Sequence, residues 1–219
     1  MYQASVKSIR SQFERQLQDI QNDVLRMGAL VEHSCWLSHQ ALFQRDMAAV
    51  DELKQHDEQV DLYYRQIEVE GLKLLALQAP VANDLRLIGT LMQLVRDLER
   101  IGDYAEELGE VALKLLPYPP LPYNHDLEHM SNACRGMLAM SLAALTDLDA
   151  ESGQLMQVKD DEVDDCYDRI YNLLAHETNI QGSVEPLLLT TLAIRALERM
   201  ADHATNIGQR INYIVTGHR

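Results

Sequence analysis

The chain has 219 residues, 47% of them hydrophobic, and carries a formal charge of −15 at pH 7. That length buries a substantial core, either as one large domain or as two units of roughly 100 residues. The acidic excess argues against nucleic-acid binding, which depends on Lys and Arg, and no window approaches the ~18 uncharged apolar residues that direct membrane insertion requires.

From about Ala4 to Gln44 the sequence is rich in helix formers, and Phe13, Leu17, Ile20, Val24, Met27, Val31, Cys35 and Leu42 recur at helical intervals, which predicts one long helix. After a break near Arg45-Asp46 a second helix is expected to run to about Gln78 on the stripe Val50, Leu53, Asp57, Val60, Tyr64, Ile67, Gly71 and Leu74. Ala79-Pro80 stops it, because proline disfavours helix in the residue before it and fits only the first turn of the next. A third helix then runs to about Leu116. Pro117 to Pro122 holds four of the six prolines and reads as a stiff connector.

The second half repeats the plan, with helices expected over Asp126 to Leu148, Glu151 to Thr178 and Ser183 to Thr216. The repeat is literal: an offset of 99 relates Leu98-Glu99-Arg100-Ile101-Gly102-Asp103 to Leu197-Glu198-Arg199-Met200-Ala201-Asp202, and an offset of 103 relates Val60 to Val163 and Tyr64 to Tyr167. The copy has lost four residues between its second and third helices. Strand signals are absent, since there is neither sustained alternation nor an Asn-Gly or Asp-Gly hairpin turn. The predicted class is all-α, with two tandem, pseudo-symmetric antiparallel three-helix bundles: residues 1–116, a connector 117–123, and residues 124–219.

With 34 carboxylates, chance alone supplies on the order of five acidic pairs at i,i+4, and the default for such a pair is a solvated helix face. Position separates four pairs from that background. Asp57 and Asp61 lie at and beside the apolar stripe of the second helix, and Asp160 and Asp164 repeat them in the fifth. Glu99 and Asp103 follow the apolar line Ile88, Met92, Val95, while Glu198 and Asp202 follow Leu187, Thr191, Ile194. Like charges at i,i+4 repel, and a partly buried carboxylate must be protonated, paired with a base or bound to a metal. Helices two and three of each half are adjacent and antiparallel, so each half gathers four oxygen donors. Such sets suit hard cations such as Mg²⁺, Ca²⁺ or Mn²⁺, and also iron. The bland alternative is salt bridging to Arg65, Arg96, Arg100, Arg169, Arg195 and Arg199.

At these residues the sequence resembles the PhoU family of phosphate-specific transport accessory proteins. The matching segments are Asp57-Glu58-Gln59-Val60-Asp61, Gln78-Ala79-Pro80-Val81-Ala82-Asn83-Asp84-Leu85-Arg86, Leu98 to Ala105, Asp161-Glu162-Val163-Asp164 and Leu197 to Ile207, spanning nearly the whole chain. The resemblance implies metal ligands at Asp57, Asp61, Glu99 and Asp103 and at Asp160, Asp164, Glu198 and Asp202, with iron, zinc, manganese or magnesium as the ion. It also implies a cytoplasmic negative regulator of phosphate uptake and phosphate-starvation signalling, an adaptor between the phosphate ABC transporter's ATPase subunit and a sensor histidine kinase, acting as a homodimer and not as an enzyme. The copies differ where Glu106-Glu107 faces Thr205-Asn206, and where Gln181-Gly182-Ser183-Val184-Glu185-Pro186 replaces the Pro80 to Arg86 entry.

The remaining chemistry is sparse. Cys35, Cys134 and Cys166 are odd in number, lack metal-site spacing and follow no secretory signal, which reads as reduced buried thiols. The eight histidines are scattered, with His203 beside Asp202 the one best placed to act, and the Glu-x-x-His signature of di-iron bundles is missing. Walker, Gly-x-Ser-x-Gly and dinucleotide motifs are also missing. Met92, Met137, Met140 and Met156 are expected in the core, and Trp36 between helices. Two further functions fit the same residues: a carboxylate-ligated metalloenzyme and a metal-free helical scaffold.

Overall fold

Six helices follow one another: α1 (Tyr2–Gln44), α2 (Ala48–Gln78), α3 (Ala82–Leu115), α4 (Asn124–Asp147), α5 (Ser152–Ala175) and α6 (Glu185–Thr216). They come from a computed structural model that describes residues 2–120, 122–149, 152–178 and 182–218. Leu121 of the connector, Glu151 at the expected start of the fifth helix and Gln181 lie outside the described residues. Among the described residues there is no strand.

Local chemistry sets the ends. The Ala48 N–H donates to Asp46 Oδ1 at 3.1 Å, which starts α2. Ala79 closes α2 in the left-handed conformation immediately before Pro80. Ser183 was expected inside the sixth helix but stands before it, its hydroxyl accepting from the Glu185 N–H at 3.1 Å, with Pro186 in the first turn. Helix α5 ends at Ala175, short of Thr178.

Each half packs its three helices on one another, and the halves join through α3 against α6 and α1 against α4. The apolar stripes meet in one continuous core that runs through both halves, with Val24, Met27, Ile88, Leu94 and Leu98 in the first and Met130, Met137, Val163, Ile170 and Ile207 in the second. Of the expected core methionines, Met137 and Met156 are buried, whereas Met92 and Met140 are partly covered. The three cysteines are buried free thiols. Burial pushes the Cys35 thiol up to about 12, which makes it a poor nucleophile.

The halves differ in length. Helix α1 has 43 residues and α4 has 24; α2 has 31 and α5 has 24. The extra turns of α1 cover the extended end of the α2–α3 hairpin: Phe13 is buried, and Arg10 and Phe13 line a cleft with Pro80, Val81 and Asp84. Trp36 departs from expectation. It is 41% exposed and stacks on His33 with ring centroids 5.3 Å apart, because its position on α1 faces outward at the groove beside α4.

Candidate metal centre

The acids of each half flank a close helix crossing. On α3, Gly102 presents bare backbone to Val60 of α2, so a β-carbon there would lie 3.5 Å from Val60 Cγ1. Glu99 and Asp103 stand on either side of that contact in sequence, as Asp57 and Asp61 do around Val60. In the second half Ala201 and Val163, both buried, take the same places between Glu198 and Asp202 and between Asp160 and Asp164.

All eight predicted residues are brought into two sets of four. In the first, Asp57, Asp61, Glu99 and Asp103 are half-buried. Burial, followed by the charges of Glu106, Asp103 and Asp61, pushes the Asp57 carboxyl up to about 6. Burial and then the Asp103 charge raise Glu99, while Arg100 opposes both. Burial also raises Asp103, against the pull of Arg100. In the second set Asp160, Glu198 and Asp202 are half-buried and Asp164 is exposed at the rim. Burial first, then neighbouring carboxylates, raises Asp160, Asp164 and Glu198. Each set is therefore a concentration of negative charge that the protein alone only partly neutralises.

Arginine supplies the partial neutralisation. Asp61 pairs with Arg65 and Asp103 with Arg100. Arg199 reaches both Glu198 at 3.4 Å and Asp202 at 3.3 Å. Arg169 turns away to Asp126 at 3.4 Å. Among the described residues Asp57, Glu99, Asp160 and Asp164 make no ion pair. Neither set brings three donor atoms within 4.8 Å of one another; among the described residues His33, Glu52 and His56 do so.

Two features were not legible from the motifs. Glu106 is the strongest charge acting on Asp57 and belongs beside the first set, although its counterpart Thr205 is neutral. Thr205 Oγ1 is buried and among the described residues meets no partner at ordinary hydrogen-bond geometry, yet it lies near enough to Asp160 to favour the ionised carboxylate. The repeat thus places a fifth acid in one half and a hydroxyl in the other. His203 is the second feature. Its Nδ1 lies 2.9 Å from Oδ1 of buried Asp97, and Arg210 Nε donates to the other Asp97 oxygen at 2.5 Å, so this histidine joins α6 to α3.

Comparison with known proteins agrees with this doubled layout. The family described as PhoU domain matches residues 24–112 and again residues 127–211. The chain is 54% identical over 210 residues to the phosphate-specific transport system accessory protein PhoU homolog of Synechocystis sp., covering 96% of this chain and 94% of that protein. It is 31% identical to the homolog of Pseudomonas putida, over 95% of this chain and 82% of that one. The crystal structure of PhoU from Pseudomonas aeruginosa superposes with a TM-score of 0.87 at 29% identity, covering 94% of this chain and all of that one. The phosphate transport system regulatory protein PhoU from Streptococcus pneumoniae gives 0.85 at 26% identity, over 94% and 98% of the two chains. With both halves matched in sequence and the whole layout matched in structure, the chain belongs to the PhoU family.

Proposed function

We propose that this chain is a cytoplasmic accessory protein of a phosphate-specific transport system. In this reading it is a negative regulator that restrains phosphate uptake and phosphate-starvation signalling, linking the ATPase subunit of the transporter to a sensor histidine kinase. It acts as a homodimer through docking and makes no covalent change. Membership of the family supports the first clause. The doubled carboxylate sets support a metal-dependent version of it, because among the described residues Asp57, Glu99, Asp160 and Asp164 make no ion pair and stand beside like charges that raise their proton affinity.

The donor chemistry fits a cation. Every candidate ligand is a carboxylate, which favours iron, manganese or magnesium over zinc. Asp57, Asp61, Glu99 and Asp103 would hold it in the first half, and Asp160, Asp164, Glu198 and Asp202 in the second. A bound cation supplies positive charge that neutralises each set and cross-links its two helices. The competing arginines do not block it, since the side chains of Arg65, Arg100 and Arg199 are 65%, 41% and 42% exposed and have room to swing outward. Among the described residues no helix is long and apolar enough to cross a membrane, which is consistent with docking onto membrane partners.

A second reading rests on those same ion pairs: a metal-free scaffold whose acids are held by arginine. Elemental analysis of protein purified without added metal separates the two. The regulator reading expects a metal content that falls by the first set's share in the Glu99→Ala/Asp103→Ala variant, whereas the scaffold reading expects the same content in both. The regulatory role is tested in a deletion strain, where alkaline phosphatase should be expressed even in high phosphate. Continued repression there would overturn the role.

A further inference from the structure

One convergence of ligating side chains lies outside the carboxylate sets. Glu52 and His56 sit one turn apart on α2, and His33 reaches across from α1. Both imidazoles point Nε2 at the same oxygen, Glu52 Oε1, from 3.4 Å for His33 and 3.7 Å for His56. All three donor atoms lie within 4.8 Å of one another, and the two rings are 5.0 Å apart and tilted by 39°. Around a tetrahedral ion with bonds of about 2.0–2.1 Å, neighbouring ligand atoms are separated by about 3.3 Å. Two of the three edges are close to that spacing already.

The donor set differs in kind from the carboxylate sets. Two imidazoles and one carboxylate match the borderline-soft divalent ions, and three protein ligands leave a coordination position open to water. Among the described residues His56 Nδ1 is buried and meets no hydrogen-bond partner, so the Nε2 edge, facing Glu52, is the one through which this ring makes polar contact. The side chains of His33 and Glu52 are 45% and 51% exposed, which gives an ion a direct approach. Although His56 precedes Asp57 in sequence, consecutive helix positions point about 100° apart, so the two residues serve different faces. The equivalent positions of the second half are Gly136, Leu155 and Lys159, which cannot rebuild the site.

We propose that His33, Glu52 and His56 form a site for a divalent transition ion of the zinc, cobalt or nickel class, which clamps α1 to α2 in the first half alone. Trp36, the chain's single tryptophan, stacks on His33 and reports on it directly. Titrating the purified protein with Co²⁺ should quench Trp36 fluorescence along a saturable one-site curve, and Zn²⁺ should reverse the quenching by competition. In His33→Gln and in Glu52→Gln the affinity should fall by at least about tenfold. Both are partly exposed positions, and an unchanged far-ultraviolet circular dichroism spectrum verifies the fold. The Glu99→Ala/Asp103→Ala variant should quench as the parent does, which separates the quenching from metal at the carboxylate set of the same half. Unsaturable quenching, or an unchanged midpoint in both the His33 and the Glu52 variants, would overturn the site.

Discussion

Asp57 shows how a single side chain carries the tension of the first acidic set. Its carboxyl stands at about 6, against 3.8 for a free aspartate, because burial and the charges of Glu106, Asp103 and Asp61 disfavour ionisation. The folded chain therefore holds a proton that the unfolded chain releases. The contribution to stability is complete below about pH 4 and is lost as the pH rises through 6. In chelator-treated protein, Asp57→Asn is expected to raise the melting temperature at pH 7.5 and to flatten the decline between pH 4 and 7. A melting series across that range checks both the sign and the window.

The repeat-related pair Gly109 and Gly208 offers a matched comparison at the same scale. A methyl at Gly109 would lie 2.7 Å from Leu53 Cδ1 and 3.6 Å from Val50 Cγ1, while at Gly208 it would lie 2.7 Å from Met156 Cε. Alanine gains about 1 kcal/mol over glycine in a helix interior. The unbranched methionine has rotamers into which it can retreat, whereas Leu53 is branched and held beside Val50. Gly208→Ala is expected to be nearly neutral and Gly109→Ala to cost about 1–2 kcal/mol, read from urea midpoints.

At the scale of elements, helix ends hold some of the strain. Leu148 closes α4 in the left-handed region at φ 50° and ψ 44°, with its N–H donated to the Ala144 carbonyl. A side chain in that conformation costs roughly 1–2 kcal/mol, and glycine removes the penalty while adding freedom to the unfolded chain. Because Leu148 is 42% exposed and so more than half covered, the burial it loses offsets most of that gain, and Leu148→Gly is expected to change stability by less than about 1 kcal/mol by thermal or urea unfolding. Element lengths also explain the four-residue difference between the repeats. The first half keeps longer α2 and α3 arms, and Phe13 of α1 is buried against their end at the cleft by Pro80. The shorter α4 covers less, and α5 stops at Ala175.

At the scale of the whole molecule, a polar link ties the halves together. Asp97 on α3 is 5% exposed and receives His203 and Arg210 from α6, with Arg210 also donating to Gln93 Oε1 at 2.6 Å. Removing one partner of a buried charged network leaves the others uncompensated. Asp97→Ala is expected to cost about 2–3 kcal/mol, moderated by the partial exposure of Arg210. Combining it with Arg210→Ala should cost less than the sum of the single losses, which a double-mutant cycle measures. Additive losses would mean that the two residues do not act as a unit.

The sequence by itself determined the six helices, the doubling and the i,i+4 spacing of the acids. Helical periodicity, proline stops and residue spacing are properties of one segment at a time. It also placed Val60 and Val163 on buried stripes, and the acids beside them followed. Tertiary structure decided how residues on different helices meet, because that depends on the rotation and offset of one helix against another. That is why Glu106 joins Asp57 although the repeat offers Thr205 in its place, and why Trp36 faces outward. It is also why His203 turns to Asp97, and why three unremarkable positions, His33, Glu52 and His56, converge on one point.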